Sequence, residues 1–350
     1  MLNMRLGIRL DAGHAKGMGH LYRMLELARI LEKKGCEVVF ALRAEETSRA
    51  IIQKKGFECL RYSEATDERD IIEDVLTRVN LDAWIYDLLD IEACWIRQIK
   101  QIKQIKMNGI RVICVDDTAG GITDADMVIN PIAGCWGKPL SPRGQLFDGP
   151  TYSILSANVA AYRRERLPSL TGSPYRVGIA MGGSDTHGAT VRLAEAFPDV
   201  SGRDLSVHFF LGPSFRHGES LEHVLAKVAY SYVLHHSVPD LVREINEMNL
   251  LICGGGVTLF EACAMGIPTL ALANEPHEAK TIAYFSERRA TVNLGRIDAM
   301  DPQGVTAAIQ RVLNDRPVQQ DLSTKGMALV PADGGDRVST HILSLIRQRI

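Results

Sequence analysis

Short apolar runs alternate along the chain with longer stretches in which apolar residues recur every three or four positions, the pattern of parallel strands joined by crossover helices. In the first half this predicts strands at 4–10, 36–43, 82–86, 110–115 and 127–130, with helices between them. The clearest helix is 21–34, where Leu21, Leu25, Ala28 and Leu31 fall on one face and Gly35 supplies the stop. Ile96, Ile99, Ile102 and Ile105 repeat every third residue between Lys and Gln, which predicts a surface helix with an apolar stripe and a solvated basic face. Periodicity fades between 134 and 174, where Gly, Pro, Ser and Asn accumulate. It restarts with strands at 175–181, 205–211, 230–234, 250–253 and 269–273 and helices at 189–196, 239–248, 258–265 and 279–288. The segment 317–331 reads as loop and 338–349 as a final amphipathic helix. These elements describe an α/β protein of two Rossmann-like domains facing each other across a cleft, with the boundary at 167–174. The domains expected are 1–167 and 168–350, the second including the terminal helix.

Length and charge agree with that division. At 350 residues the chain suits two domains better than one core or three. Forty basic and forty-two acidic side chains leave a net charge of -2, which argues against nucleic acid or an anionic membrane as partner. No apolar run reaches the ~20 residues of a membrane span, and the first residues lack the apolar core of a signal peptide, so a cytoplasmic protein is expected. The seven cysteines are scattered without a CxxC pair and mostly lie in apolar runs, so neither a disulfide framework nor a zinc site is indicated.

The glycines cluster at three strand ends. After the first strand comes DAGHAKGMGHLYR: Asp11 ends the strand, and Gly17, Gly19 and His20 open the helix, where bare backbone N–H groups can face an anion. The positive end of that helix would keep the His20 imidazole neutral, as a general base requires. A tight turn with a structural histidine is the competing reading. The second cluster, MGGSDTHG, places Gly182 and Gly183 at a strand end with Ser184 and Asp185 as ligands for phosphate or ribose, or simply as helix caps. The third, CGGGVTLFEACAMGIP, carries Thr258 and Glu261 on the first turns of a helix behind Gly254, Gly255 and Gly256. A carboxylate so placed can accept both ribose hydroxyls of a nucleotide while the glycines admit its diphosphate. The competing reading makes Glu261 a helix-capping residue.

The third cluster resembles the GGxxTxxExxxxGxP signature of nucleotide-sugar glycosyltransferases of the GT-B type, including the enzyme that adds N-acetylglucosamine to lipid I. IRLDAGHAKGMGHLYR resembles more closely the start of the PseG and SpsG family, and VDD at 115–117, ADMVINP at 125–131, GPTYSIL at 149–155 and MGGSD at 181–185 follow in the family's order. The resemblance implies a GT-B fold and a metal-independent UDP-sugar hydrolase that needs no cofactor. Such enzymes cleave UDP-2,4-diacetamido-2,4,6-trideoxy-β-L-altropyranose at the anomeric carbon in pseudaminic acid biosynthesis. It makes His20 the base, places Gly17, Gly19 and Asp11 beside the sugar, gives Glu261 the ribose, and gives Gly182, Gly183, Ser184, Gly255 and Gly256 the diphosphate. Arg23, Asp87, Asp185, Thr258, Asn274 and His277 complete the substrate-binding set. The partner implied is a small-molecule UDP-sugar, and a monomer is compatible with it.

Three stretches depart from the family pattern. Leu88 and Leu89 stand where members often carry His and Tyr, LSANVAAY replaces the usual segment after the tyrosine of GPxY, and His277 stands near an expected glutamine. A GT-B glycosyltransferase using a UDP-sugar donor and a non-catalytic nucleotide-sugar binding module are the alternatives. Asp116 and Asp117, adjacent on a strand, point to opposite faces and do not read as a metal pair. His14 lies in the first glycine loop, while His208, His217, His223, His235 and His236 show no metal-ligand spacing and read as packing or surface residues.

Overall fold

The computed structural model describes residues 4–13, 18–44, 46–88, 91–101, 109–116, 120–131, 144–163, 174–198 and 204–348. It divides into two compact units, Met1–Ile154 with Asp333–Ile350, and Leu155–Ala332.

The first unit alternates strand and helix: β1 (Met4–Ala12), α1 (Gly19–Lys33), β2 (Cys36–Ala44), α2 (Glu46–Lys54), β3 (Glu58–Tyr62), α3 (Glu68–Arg78), β4 (Ala83–Asp87), α4 (Ala93–Gln101), β5 (Arg111–Val115), β6 (Met127–Asn130) and β7 (Gln145–Asp148). All pairings are parallel, in the order β3-β2-β1-β4-β5-β6-β7. Strand alternation sends Leu6, Ile8 and Leu10 of β1 with Ala83 and Ile85 of β4 into the core beneath α1. Trp84 and Tyr86 face the opposite side, with Ile71, Ile72 and Val75 of α3 and Ile96 and Ile99 of α4. The expected isoleucine stripe is thus a buried face as far as Gln101, and Ile102 and Ile105 lie outside the described residues.

The second unit begins with α5 (Asn158–Tyr162) and continues with β8 (Tyr175–Ala180), α6 (Ala189–Ala196), β9 (Leu205–Leu211), α7 (Gly218–Leu225), β10 (Ser231–His236) and α8 (Leu241–Asn246). Then come β11 (Leu250–Cys253), α9 (Val257–Met265), β12 (Thr269–Ala273), α10 (Pro276–Glu287), β13 (Val292–Arg296), α11 (Pro302–Asn314) and α12 (Arg316–Leu329). Its parallel sheet runs β10-β9-β8-β11-β12-β13. In both sheets the strand order reverses beside the first strand of the unit, between β1 and β4 and between β8 and β11, and ligands of such sheets bind at the carboxyl ends around that point.

Two expectations are corrected. The 317–331 segment is helix α12: Asp315 accepts from the Val318 N–H, Pro317 sits in the first turn, and Gly326 lets the helix lie against Cys263 of α9. The unit boundary falls at 154 instead of 167, and the terminal helix, α13 (Gly334–Arg347), belongs to the first unit. The cause is apolar: Val338, Ile342, Leu345 and Ile346 complete the core shared with α1. Close approach is permitted by Gly334, where a Cβ would stand 2.2 Å from the Ser153 carbonyl oxygen. Lys34 at the end of α1 donates to the Ser339 hydroxyl at 2.5 Å, tying the two helices at the rim. The strands that the pattern did not predict, β3, β7 and β13, lie at sheet edges, where a strand needs fewer apolar residues. Among the described residues no helix is long and apolar enough to cross a membrane.

Because Ile342 is fully buried, Ile342→Ala should destabilise the first unit by roughly 2–5 kcal/mol. Urea unfolding followed by tryptophan fluorescence, to which buried Trp84 contributes from the same unit, measures it. A loss below about 1 kcal/mol would contradict α13 as part of that core.

Candidate functional site

In the first unit the loop after β1 leads into α1, and β4 and β5 end beside it. Asp87 is the last residue of β4, on the face that carries Ala83 and Ile85 toward α1, and it is fully buried. Asp116 follows β5 on the same side. From α1, His20 and Arg23 stand one turn apart and meet both. His20 Nδ1 lies 2.8 Å from Asp87 Oδ1. Arg23 Nε donates to Asp87 Oδ2 at 2.7 Å, a second guanidinium nitrogen donates to Asp87 Oδ1, and the third donates to Asp116 Oδ2 at 2.8 Å.

The pairing governs the ionisation of Asp87 and Arg23. Burial alone would raise the Asp87 carboxyl, but Arg23 and His20 overcome it and hold the group at about 2. His20 Nδ1 also lies 3.0 Å from the Arg23 guanidinium, so that ring nitrogen faces both the carboxylate and the cation, and neither contact involves Nε2. Burial opposes the Arg23 charge, yet Asp87 and Asp116 shift it upward overall, so the guanidinium stays protonated. A partly exposed imidazole held through Nδ1 against a buried carboxylate leaves Nε2 as the ring nitrogen available for proton transfer. Helix α1 begins without a side-chain cap, which leaves its first amides available.

Asp11 is not part of this group. Period-two alternation turns it, with Arg9, to the opposite face of the sheet. There the fully buried Arg9 guanidinium pairs with Asp11 at 2.5 Å and with Glu68 of α3 at 2.8 Å, and Arg43 adds a contact to Glu68 at 3.2 Å. Gly19 is the exposed first residue of α1, and Gly17, His14, Asp117 and Leu89 lie outside the described residues. Leu88 packs against the core on the α3 and α4 side. Asp116 is the site residue that sequence reasoning set aside; its signal was an aspartate immediately beyond a buried strand.

In the second unit the turns after β8, β11 and β12 carry the remaining candidates. Gly182 has φ +90, a conformation that suits glycine. Ser184 is buried, its hydroxyl 3.3 Å from that of Thr186. The Asp185 carboxylate caps α6, accepting from the Ala189 and Thr190 N–H groups at 2.7 and 2.8 Å, so its oxygens serve the helix rather than a ligand. Helix α9 starts at Gly256 with no side-chain cap, and Thr258 is half-buried in its first turn. Glu261 is buried and accepts from the Ser156 N–H at 3.3 Å. A Cβ on Gly255 would stand 2.7 Å from the Cβ of Glu278, so glycine is required there.

Glu278, which the motifs did not single out, lies beneath that loop. Burial raises its carboxyl, against the opposing pull of the Asn274, Glu275 and Gly255 amides and of His277. It accepts from the Asn274 N–H at 2.7 Å, while the Asn274 side-chain oxygen is buried without a partner. His277 is exposed in the first turn of α10. Elsewhere, His208 and His235 stack on neighbouring strands with ring nitrogens 2.9 Å apart, and burial beside His235 and Arg176 lowers His208 to about 4. Among the described residues no group of three or more His, Cys, Asp or Glu gathers as a metal-ligand set.

The spore coat polysaccharide biosynthesis protein SpsG of Bacillus subtilis is 26% identical over 352 residues, which take in 99% of this chain and 100% of that protein. The chain resembles SpsG along its whole length. A protein of Methanocaldococcus jannaschii is 28% identical over 279 residues, 77% of this chain and 55% of the relative. No family model matches. Among solved structures, MurG of Acinetobacter baumannii superposes with a TM-score of 0.67 at 12% identity, covering 97% of this chain and 99% of that one. A UDP co-structure of MnaA from S. aureus reaches 0.68 at 12% identity over 98% and 97%. The spinosyn rhamnosyltransferase SpnG bound to thymidine diphosphate reaches 0.60 at 18% identity over 97% and 100%. The fold is GT-B, two Rossmann-like units in one chain, as the SpsG-like sequence implies.

The folded Asp87 carboxyl lies below its unfolded value of about 3.9, so its contribution to stability is present above that value and is lost as pH falls toward about 2. Asp87→Asn should remove this part of the acid dependence. Urea midpoints between pH 5 and pH 2 measure it, and parallel curves for the two proteins would contradict the pairing.

Proposed function

We propose that this chain is a nucleotide-sugar hydrolase acting in polysaccharide biosynthesis, and that it releases UDP and free sugar from a UDP-2,4-diacetamido-2,4,6-trideoxyhexose on the way to a nonulosonic acid. The observation that carries the reading is the His20–Asp87 pair at the reversal point of the first sheet, with Arg23 locking the carboxylate. Water attacks the anomeric carbon, its proton passes to His20 Nε2, and the bond between that carbon and the diphosphate oxygen breaks with its electron pair leaving on UDP. Asp87 steadies the imidazolium that forms.

The nucleotide belongs to the second unit in this reading. Backbone amides at the uncapped start of α9 face the diphosphate, aided by the loop at Gly182 and Gly183 and by Ser184. Such fixed dipoles can stabilise the departing diphosphate without a cation. Glu261 takes the ribose hydroxyls, with Thr258, Asn274 and His277 around the nucleotide. The likeness to SpsG, a polysaccharide biosynthesis protein, and to the nucleotide-bound MnaA and SpnG structures supports the substrate class. A transferase with the same donor is the second reading, favoured by the glycosyltransferases among the structural neighbours.

Incubation with the UDP-diacetamido sugar in buffer containing EDTA should release UDP with no acceptor present, followed by NMR. Release only on addition of an acceptor would establish the transferase instead, and binding without turnover would establish a binding module. His20→Asn should lower kcat by about 10²–10⁴ with KM little changed; an unchanged kcat would remove His20 as base. If Glu261 holds the ribose, 2′-deoxy-UDP should bind about tenfold more weakly than UDP to the wild-type chain and equally well to Glu261→Ala. The same discrimination in both proteins would overturn that role.

A further inference from the structure

Asp116 carries more than its pairing with Arg23. Its φ is +59, a left-handed conformation uncommon outside glycine, asparagine and aspartate. Its backbone N–H is satisfied by the Ile129 carbonyl at 2.9 Å, and its Oδ2 by Arg23 at 2.8 Å. Its Oδ1 is buried and has no hydrogen-bond partner, while the residue as a whole is 5% exposed. A carboxylate oxygen withdrawn from water and left without a donor is costly, and sites built to meet a ligand are where such atoms persist. The charges around it point to the kind of group it awaits. Arg23 is shared between two carboxylates, so one guanidinium charge is set against two carboxylate groups, and the unpartnered oxygen calls for a hydrogen-bond donor rather than a phosphate or a carboxylate.

We propose that Asp116 is a substrate-binding residue whose free oxygen accepts one O–H or N–H of the sugar, and that it sets specificity for a sugar carrying a donor at that position. This rests on the nucleotide-sugar reading above. By holding that donor beside the Arg23 that also positions Asp87, Asp116 links recognition of the sugar to the base.

The test uses UDP-2,4-diacetamido-2,4,6-trideoxy-β-L-altropyranose and three analogues that each lack one donor, the 2-O-acetyl, 4-O-acetyl and 3-deoxy forms. Affinity is read from displacement of a fluorescent UDP analogue in the first seconds after mixing. The wild-type chain should lose about tenfold for one of the three. In Asp116→Asn the amide nitrogen takes the place of the free oxygen, and that discrimination should fall to within about twofold while affinity for UDP stays the same. Asp116→Gly, whose backbone accommodates a φ of +59, should do likewise. A wild-type pattern that persists in both folded variants, or a wild-type chain indifferent to all three changes, would overturn the assignment. A wild-type chain that binds UDP but none of the sugars would overturn the hydrolase reading as well. A chain that binds the parent sugar without cleaving it would overturn hydrolysis alone and leave the Asp116 comparison intact.

Discussion

Two buried carboxylates at the ends of neighbouring strands cannot both stay ionised unless a cation lies between them, and Arg23 is that cation. The strand order sets β4 beside β5, so Asp87 and Asp116 are neighbours by construction. One face of the guanidinium fork grips Asp87 through two nitrogens and the remaining nitrogen reaches Asp116. Arg23 is one turn from His20, so the same contact that neutralises the strand ends also seats α1 and turns the imidazole toward Asp87. Helix docking, carboxylate ionisation and ring orientation therefore form a single constraint. Truncating Arg23 would leave two like charges buried together, a loss of about 3–5 kcal/mol in comparable pairs.

The sheet of the first unit separates two charged groups that chain proximity alone would merge. Asp11 and His20 are nine positions apart, yet one lies under α3 with Arg9 and Glu68 and the other sits over α1. Arg9 is fully buried, and burial opposes its charge, but Glu68 and Asp11 together keep it protonated. That network anchors α3 to the carboxyl half of β1, the strand from which the loop toward α1 departs. The second unit solves a different problem with different means. Its candidate residues lie on turns where Gly182 takes a positive φ and where Gly212 and Gly255 permit close approach to Gly183 and Glu278, and its Glu278 carboxylate is held by backbone amides instead of a guanidinium. A chain of net charge -2 can offer an anion site in this way without a basic surface.

The contrast explains what could be read in the sequence. Glycine turns are local, so the loops after β1, β8 and β11 are visible as motifs, and the strands 205–211, 250–253 and 269–273, buried except at His208, match their apolar runs residue for residue. Edge strands such as β3, with Glu58 and Arg61 exposed, carry no such run. Charged partners are not local. Arg23 and Asp116 are 93 positions apart, and only the parallel register of β4 with β5 brings them together. The resemblance puts Asp11 beside the sugar, whereas Arg-x-Asp within an apolar strand marks two charges on one face, which a buried pair requires. Helix α12 is hard to read in sequence because Pro317 occupies its first turn, where the missing N–H costs nothing. The terminal helix shows an amphipathic pattern in sequence, but which unit it would cover was decided by Gly334 and Gly335, small enough to let it close on Ser153 and Ile30.

The same contrast bears on the departures from the family pattern. Leu88, one of those departures, packs its side chain against the core on the α3 and α4 side, on the face opposite Asp87. A change there leaves the His20–Asp87–Arg23–Asp116 group intact, since none of its members shares that face. The group is held by buried ion pairs among residues of α1, the end of β4 and the position after β5, so its geometry does not depend on the side chain at position 88.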